Sequence, residues 1–253
     1  MFRASRRRWP AMAILALVLA FPSAAAANHS WGGYHWARTS NPFTLGLGDN
    51  VSSAWDSYLV TSSSDWSVSA VLDTTIVAGS NLKPKNCRPK SGRVEVCNAA
   101  YGGTGWLGVA QIWVSGSHIT QGTVKVNDTY FNTSTYNSPA WRNLVMCQEV
   151  GHTFGLGHQD ESFTNPNLGT CMDYTSDPTS NQHPNQHDYD ELELIYAHLD
   201  STTTVGQAAT IGSPAAEPSD WGRLVASLNG GRTSVLELGV GAGQRVVTFV
   251  IWA

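Results

Sequence analysis

Four side chains between residues 148 and 158 are of types that hold a metal ion and move a proton: Gln148, Glu149, His152 and His158. On a helix, positions 148 and 152 stand one turn apart on the same face, so their side chains can converge on one cation. Glu149 is offset from that face, which leaves its carboxylate free to hold a water and take its proton. Gly155 lets the chain leave the helix through a conformation costly to any other residue, and this swings His158 back towards the same ion. Three protein donors leave the fourth position of a tetrahedral zinc site to water, whose pKa the metal lowers towards ~7. Gln148 is the unusual member. Its amide oxygen lies as many bonds from Cβ as the Nε2 of a histidine, so it reaches the same place, but it is a poorer zinc donor and has no ring to fix its angle.

The run from Gln148 to His158 resembles the zinc-peptidase signature H-E-x-x-H-x-x-G-x-x-H with glutamine at the first ligand position. A second segment, Cys171-Met172-Asp173-Tyr174, resembles the Met-turn that follows that signature. Together they are similar to the metzincin clan, which contains the astacins, serralysins and matrixins, and the resemblance covers about residues 31–200. It implies zinc held by Gln148, His152 and His158, with Glu149 as general base and then acid. Met172 would sit beneath the ligand histidines and Tyr174 would stabilise the oxyanion. The strand expected over Gly105 to Val114 resembles the clan's edge strand, where Gly105, Trp106, Leu107, Gly108 and Val109 would bind a peptide as an added antiparallel strand. The implied activity is that of a secreted zinc metalloendopeptidase. Its rivals are a catalytically inactive peptide-binding module that kept the groove and a hydrolase of some non-peptide amide or ester.

Those residues need elements to position them. Ser138-Pro139 reads as a helix start, and the helix runs through Asn143 to Phe154. Apolar spacing over Val51 to Val60 predicts another helix, and Asp188 to Leu199 a last one with Leu192, Ile195, Tyr196 and Leu199 as its buried stripe. Val68 to Val77, Gly105 to Val114 and Val124 to Phe131 read as strands, and Trp31 to Trp36 as an extended opening segment. Beyond residue 200, the Ser, Thr, Ala, Gly and Pro of 201–220 read as a linker. Leu224 to Leu228 and Ser234 to Val240 flank the hairpin signal Asn229-Gly230-Gly231, with Arg245 to Trp252 as a third β segment. The expected class is α/β of the α+β kind: a twisted mixed sheet with an active-site helix over 28–200, plus a small C-terminal β unit at 221–253.

Composition limits the partners. Arg3, Arg6, Arg7 and Arg8, the apolar run Ala11 to Phe21 and the small residues Ser23 to Ala27 read as a secretory signal over 1–27, through the general route. The apolar run falls well short of the roughly 20 residues a spanning helix needs, so no permanent membrane anchor is expected. Without that segment 11 basic residues face 19 acidic ones, a balance that argues against nucleic acid as a partner. The expected partner is a peptide or protein substrate, met outside the cell by a monomer. Four cysteines allow three pairings, and we expect Cys87 with Cys97 and Cys147 with Cys171. Cys147 points off the ligand face, so a thiolate ligand is the lesser reading. His183 and His187, either of which could rescue coordination, are expected at the surface or as caps, as are His29, His35, His118 and His198. Asp160 stands near the third ligand position, which His158 already fills.

Overall fold

The structure, a computed structural model, describes residues 29–207, 220–228 and 233–253. The expected export signal, most of the expected linker and the Asn229-Gly230-Gly231 turn lie outside the described residues.

Buried Phe43, Leu45 and Leu47 alternate with smaller residues and make β2 (Phe43–Asn50), a strand that its two internal glycines hide from a pattern search. It follows the short β1 (His35–Trp36) and leads through α1 (Asp56–Trp66) to β3 (Leu72–Ala78), which pairs with β2 in parallel. A helical crossover of this kind is what parallel neighbours require. The expected helix over Val51 to Val60 therefore starts and ends later. Ser62 and Ser63 are buried there, and Trp66 packs fully inside. A hydroxyl network from Ser63 and Ser67 to Thr74 ties the helix end to β3.

Next come β4 (Val94–Ala99), also unread in the sequence, and the hairpin of β5 (Trp106–Ser115) and β6 (His118–Asn127). The strand expected at Val124 to Phe131 is the end of β6. At its last residue the Asn127 side chain accepts from the Thr129 amide and starts the single turn α2 (Asp128–Phe131). Ser138 caps α3 (Pro139–His152), with proline in the first turn as the sequence predicts. A capping box of Asn185 and Asp188 opens α4 (Gln186–Ile195). The strands β7 (Arg223–Leu228), β8 (Thr233–Gly241) and β9 (Gln244–Trp252), over the C-terminal segments that read as β in the sequence, form an antiparallel meander that continues the main sheet through β9.

All of these strands belong to one mixed sheet in the order β3-β2-β4-β6-β5-β9-β8-β7, with β1 added at the start of β6. The class is thus α+β, with few helices on a mixed sheet. Helices α1 and α3 pack against each other, α1 also on β3 and α3 on β5 and β6, and the main core lies between them. No helix among the described residues is long and apolar enough to cross a membrane.

Both expected disulfides are formed, Cys87 to Cys97 and Cys147 to Cys171. The second ties α3 to the segment 24 residues on. Closing a loop of that size constrains the unfolded chain by about 3 kcal/mol. The double variant Cys147→Ser/Cys171→Ser should therefore lose stability of that order in urea unfolding. A loss well under 1 kcal/mol would mean that this crosslink does not hold the two segments together.

Candidate metal centre

Helix α3 carries Gln148, Glu149 and His152 into the interior, all three essentially without solvent exposure. His152 directs Nδ1 at the Leu156 carbonyl, 2.9 Å away. A carbonyl only accepts, so Nδ1 carries the proton and Nε2 keeps its lone pair, the arrangement that suits a metal-ligating histidine. The helix ends at Thr153 and the chain turns at Gly155, where φ is +96°. A side chain at Gly155 would be strained by that angle and would also strike the Tyr34 carbonyl oxygen. The turn brings the ring of His158 to 4.5 Å from that of His152 at 81°, and the Tyr174 ring lies 4.3 Å from that of His158.

The segment beneath is built to fit. Gly151 leaves room for the Met172 sulfur and the Trp66 ring, each under 3 Å from where a Cβ would stand. The Gln159 amide donates to the Met172 carbonyl at 2.6 Å, Tyr174 N donates to Asp160 O, and Asp160 pairs with Asp173 in a β-bridge. Asp173 in turn accepts from Leu168 N and the Asn181 side chain. Asp160 is thus a backbone partner of the Met172 turn, while His158 takes the place the spacing gave it.

Electrostatically the cluster is dry and short of partners. Burial lowers the His152 pKa to about 4, with the Leu156 carbonyl opposing, and burial pushes His158 well below the usual histidine range. Both are neutral at pH 7 with lone pairs to offer. Burial also holds Glu149 well above the ordinary carboxyl value, and a backbone contact at Ala110 offsets this only in part. Gln148 Nε2, both Glu149 oxygens, His152 Nε2 and His158 Nε2 are buried with no hydrogen-bond partner among the described residues. Orphaned polar atoms of this kind are costly, and a cation with its water would satisfy all of them. In amide groups O and N exchange by a half-turn, so the Gln148 oxygen can occupy the position drawn for its nitrogen. The donor set is then two imidazoles and one amide oxygen, which zinc accepts.

Two expectations need correction. The first is the edge strand. Residues Trp106 to Val109 do lie above the site, and Gly108 is glycine because a Cβ there would run into the Glu149 carboxyl and Val145. Yet β5 is not an edge: β9 pairs with it antiparallel from Trp106 opposite Trp252 to Ser115 opposite Gln244. The apolar run of Arg245 to Trp252 supplies this neighbour, and its Phe249 stacks on His152 at 4.4 Å and 5°. An open pocket remains beside the site, bounded by Leu107, Tyr136, Leu144, Gln148, Tyr174 and Trp252.

The second correction concerns the histidines read as surface or capping groups. His29 and His35 are buried, and His35, His118 and His198 gather around Asp200. His29 directs Nδ1 at the Gly157 carbonyl and lies 3.5 Å from Asp188, close enough to His152 and His158 to depress their pKa values. It is a supporting residue that the sequence reading missed, since nothing in its spacing connects it with residue 157. His183 is exposed and bound to Asp65 at 2.7 Å, and the ring of His187 stacks on that of His29.

No protein-family model matches this chain. No curated protein matches it either. Among solved structures it overlaps high choriolytic enzyme 1, a hatching enzyme zinc-protease from the medaka fish Oryzias latipes, over 68% of this chain and 98% of that one. Sequence identity over the overlap is 10% and the TM-score is 0.37, a likeness that decides neither fold nor activity.

Proposed function

We propose that this chain is a zinc-dependent peptide hydrolase of metzincin type, exported and acting as a monomer on peptide or protein substrates. The observation that supports it most is the buried, partnerless set on Gln148, Glu149, His152 and His158. Gln148, His152 and His158 would hold the ion, with the Leu156 carbonyl fixing the His152 tautomer. A zinc ion held there supplies Lewis acidity for the activation of water and the polarisation of a carbonyl. Glu149 takes the proton of the attacking water on its carboxylate and passes it to the leaving amine nitrogen, and burial makes that carboxylate more basic than an exposed one. Tyr174, at the rim of the pocket, donates its hydroxyl to the oxyanion. Thr175 and Ser176 continue that wall, opposite Trp141 and Leu144, giving an apolar seat for one substrate side chain.

Residue 148 is where this reading is tested. Gln148→His should tighten zinc binding by about 10- to 100-fold, and Gln148→Ala should loosen it by a similar factor, with hydrolysis at saturating zinc at least as fast in the histidine variant as in the parent. Zinc titration of the three proteins with turnover of a denatured protein substrate checks this. Equal affinity in all three would remove residue 148 from the ligand set. Tighter binding in the histidine variant with no turnover in any of them would favour the non-catalytic peptide-binding module.

A further inference from the structure

Outside the cluster of Gln148, Glu149, His152 and His158, four residues from three parts of the chain meet. His35 in β1 and His118 in β6 are partners in the β1–β6 register, and His198 and Asp200 come from the segment after α4. His35 and Asp200 are buried or nearly so, while His118 and His198 keep one side to solvent. His35 Nε2 and His198 Nε2 are 3.2 Å apart, and each is 3.7 Å from Asp200 Oδ1. A triangle with these edges has its centre about 2.1 Å from every corner, which is the length of a Zn–N or Zn–O bond. Among the described residues this is the group of three His, Cys, Asp or Glu donors whose ligand atoms all fall within 4.8 Å of one another.

The surroundings orient each donor. His35 Nδ1 lies 2.8 Å from the Gly33 carbonyl, so that nitrogen holds the proton and Nε2 presents a lone pair to the cluster. Asp200 Oδ2 is taken by Arg38, from Nη1 at 2.9 Å and from its backbone N–H at 3.2 Å, which leaves Oδ1 to face the histidines. Arg38 is itself buried, stacks on Tyr196 and donates to the Tyr196 and His198 carbonyls, so it shapes the turn that presents both His198 and Asp200. His118 Nε2 approaches the same Oδ1 at 3.1 Å. The guanidinium balances the carboxylate, and the two imidazole nitrogens, hydrogen-bonded to each other at 3.2 Å, are at the separation that two ligands of one cation take.

We propose that His35 Nε2, His198 Nε2 and Asp200 Oδ1 form a second zinc site, with His118 hydrogen-bonded to the ligating oxygen as its orienting partner and water in the fourth position. The site is structural: it clips the first strand and the β5–β6 hairpin to the segment that follows α4, a link between residues 35 and 198 made by no disulfide. It does not depend on the hydrolase reading, because none of its residues belongs to that centre.

The experiment uses the full chain carrying His152→Ala and His158→Ala, which removes the other imidazole donors, titrated with Co2+ alone and then with Zn2+ in competition. One equivalent of Co2+ should bind with the intense visible absorption of a tetrahedral site and be displaced by zinc. Adding His198→Ala, a largely exposed side chain whose loss the fold should tolerate, should weaken binding at least 100-fold, and Asp200→Asn should do the same. His118→Ala, as a positioning change, should weaken it by a smaller factor without changing the stoichiometry. Absence of stoichiometric Co2+ uptake, or binding indifferent to both His198→Ala and Asp200→Asn, would overturn the proposal. Should the double background misfold, zinc content of the otherwise unaltered chain decides: a fall of one equivalent on His198→Ala supports the site, and an unchanged content rejects it.

Discussion

Glu149→Gln should lower peptide hydrolysis by about 10²- to 10⁴-fold, the range over which a positioned general base contributes, while zinc content stays within about twofold of the parent. The two halves of that expectation come from different features. Glu149 is one residue round the helix from the ligand row and both its oxygens lack a hydrogen-bond partner, so it is placed to handle a proton and not to complete the ligand set. Glutamine fills the same space under Gly108, where a larger change would disturb β5, and the amide cannot accept the proton of the water. The fold should survive, because the substitution replaces a buried carboxyl held far above its ordinary pKa with a neutral group. Turnover of a denatured protein by the metal-saturated variant, set beside its zinc content, checks both halves. Parent-like turnover would remove Glu149 from the chemistry and with it the proposed mechanism. Loss of zinc together with activity would instead make Glu149 a ligand.

What the sequence disclosed follows the physics of each signal. Helix α3 was legible because a cap and a first-turn proline are local signs, and it runs from Pro139 to His152 as those signs require. The Cys147–Cys171 bridge followed from where its cysteines bracket the helix and the Met172 turn, and Cys87–Cys97 from the short loop with Pro84, Pro89 and Gly92 that it closes. β2 and β4 were not read, since β2 is interrupted by Gly46 and Gly48. The latter is glycine for a tertiary reason, the Glu95 carboxyl packed against it, which no window of neighbouring residues contains. The cluster around Asp200 was missed for the same cause. His35, His118 and the His198–Asp200 pair stand about 80 residues apart in the chain, and only the β1–β6 register and the Arg38-bound turn bring them together. The role of β9 was hidden in another way. Arg245 to Trp252 reads plainly as a strand, but its choice of β5 as partner is decided by an open edge elsewhere in the sheet.

That choice gives the other large effect. A peptide that binds by strand addition needs the free edge of β5, and β9 already makes those backbone hydrogen bonds and lays Phe249 over the ring of His152. An intramolecular strand competes at an effective concentration in the millimolar range or above. For every 1.4 kcal/mol or so by which β9 favours its seat, the apparent KM of a peptide rises about tenfold. Covering a long apolar edge also protects the sheet from pairing with other chains, so the same strand serves the stability of the uncomplexed protein. Two substitutions separate these roles. Val250→Pro removes a ladder hydrogen bond from a strand paired on both sides, opposite Val109 and Ser234, and should free the edge. Phe249→Ala leaves the ladder intact and lifts only the ring from His152. If β9 is a cover, hydrolysis of a long peptide rises at least tenfold with proline and severalfold with alanine. The gain should lie mainly in KM, and a short ester substrate that needs no strand pairing should change less. If β9 is an integral part of the catalytic fold, both variants lose activity together with near-ultraviolet circular dichroism, and the peptide reaches the site from the Tyr136 and Tyr174 pocket without pairing to β5 at all.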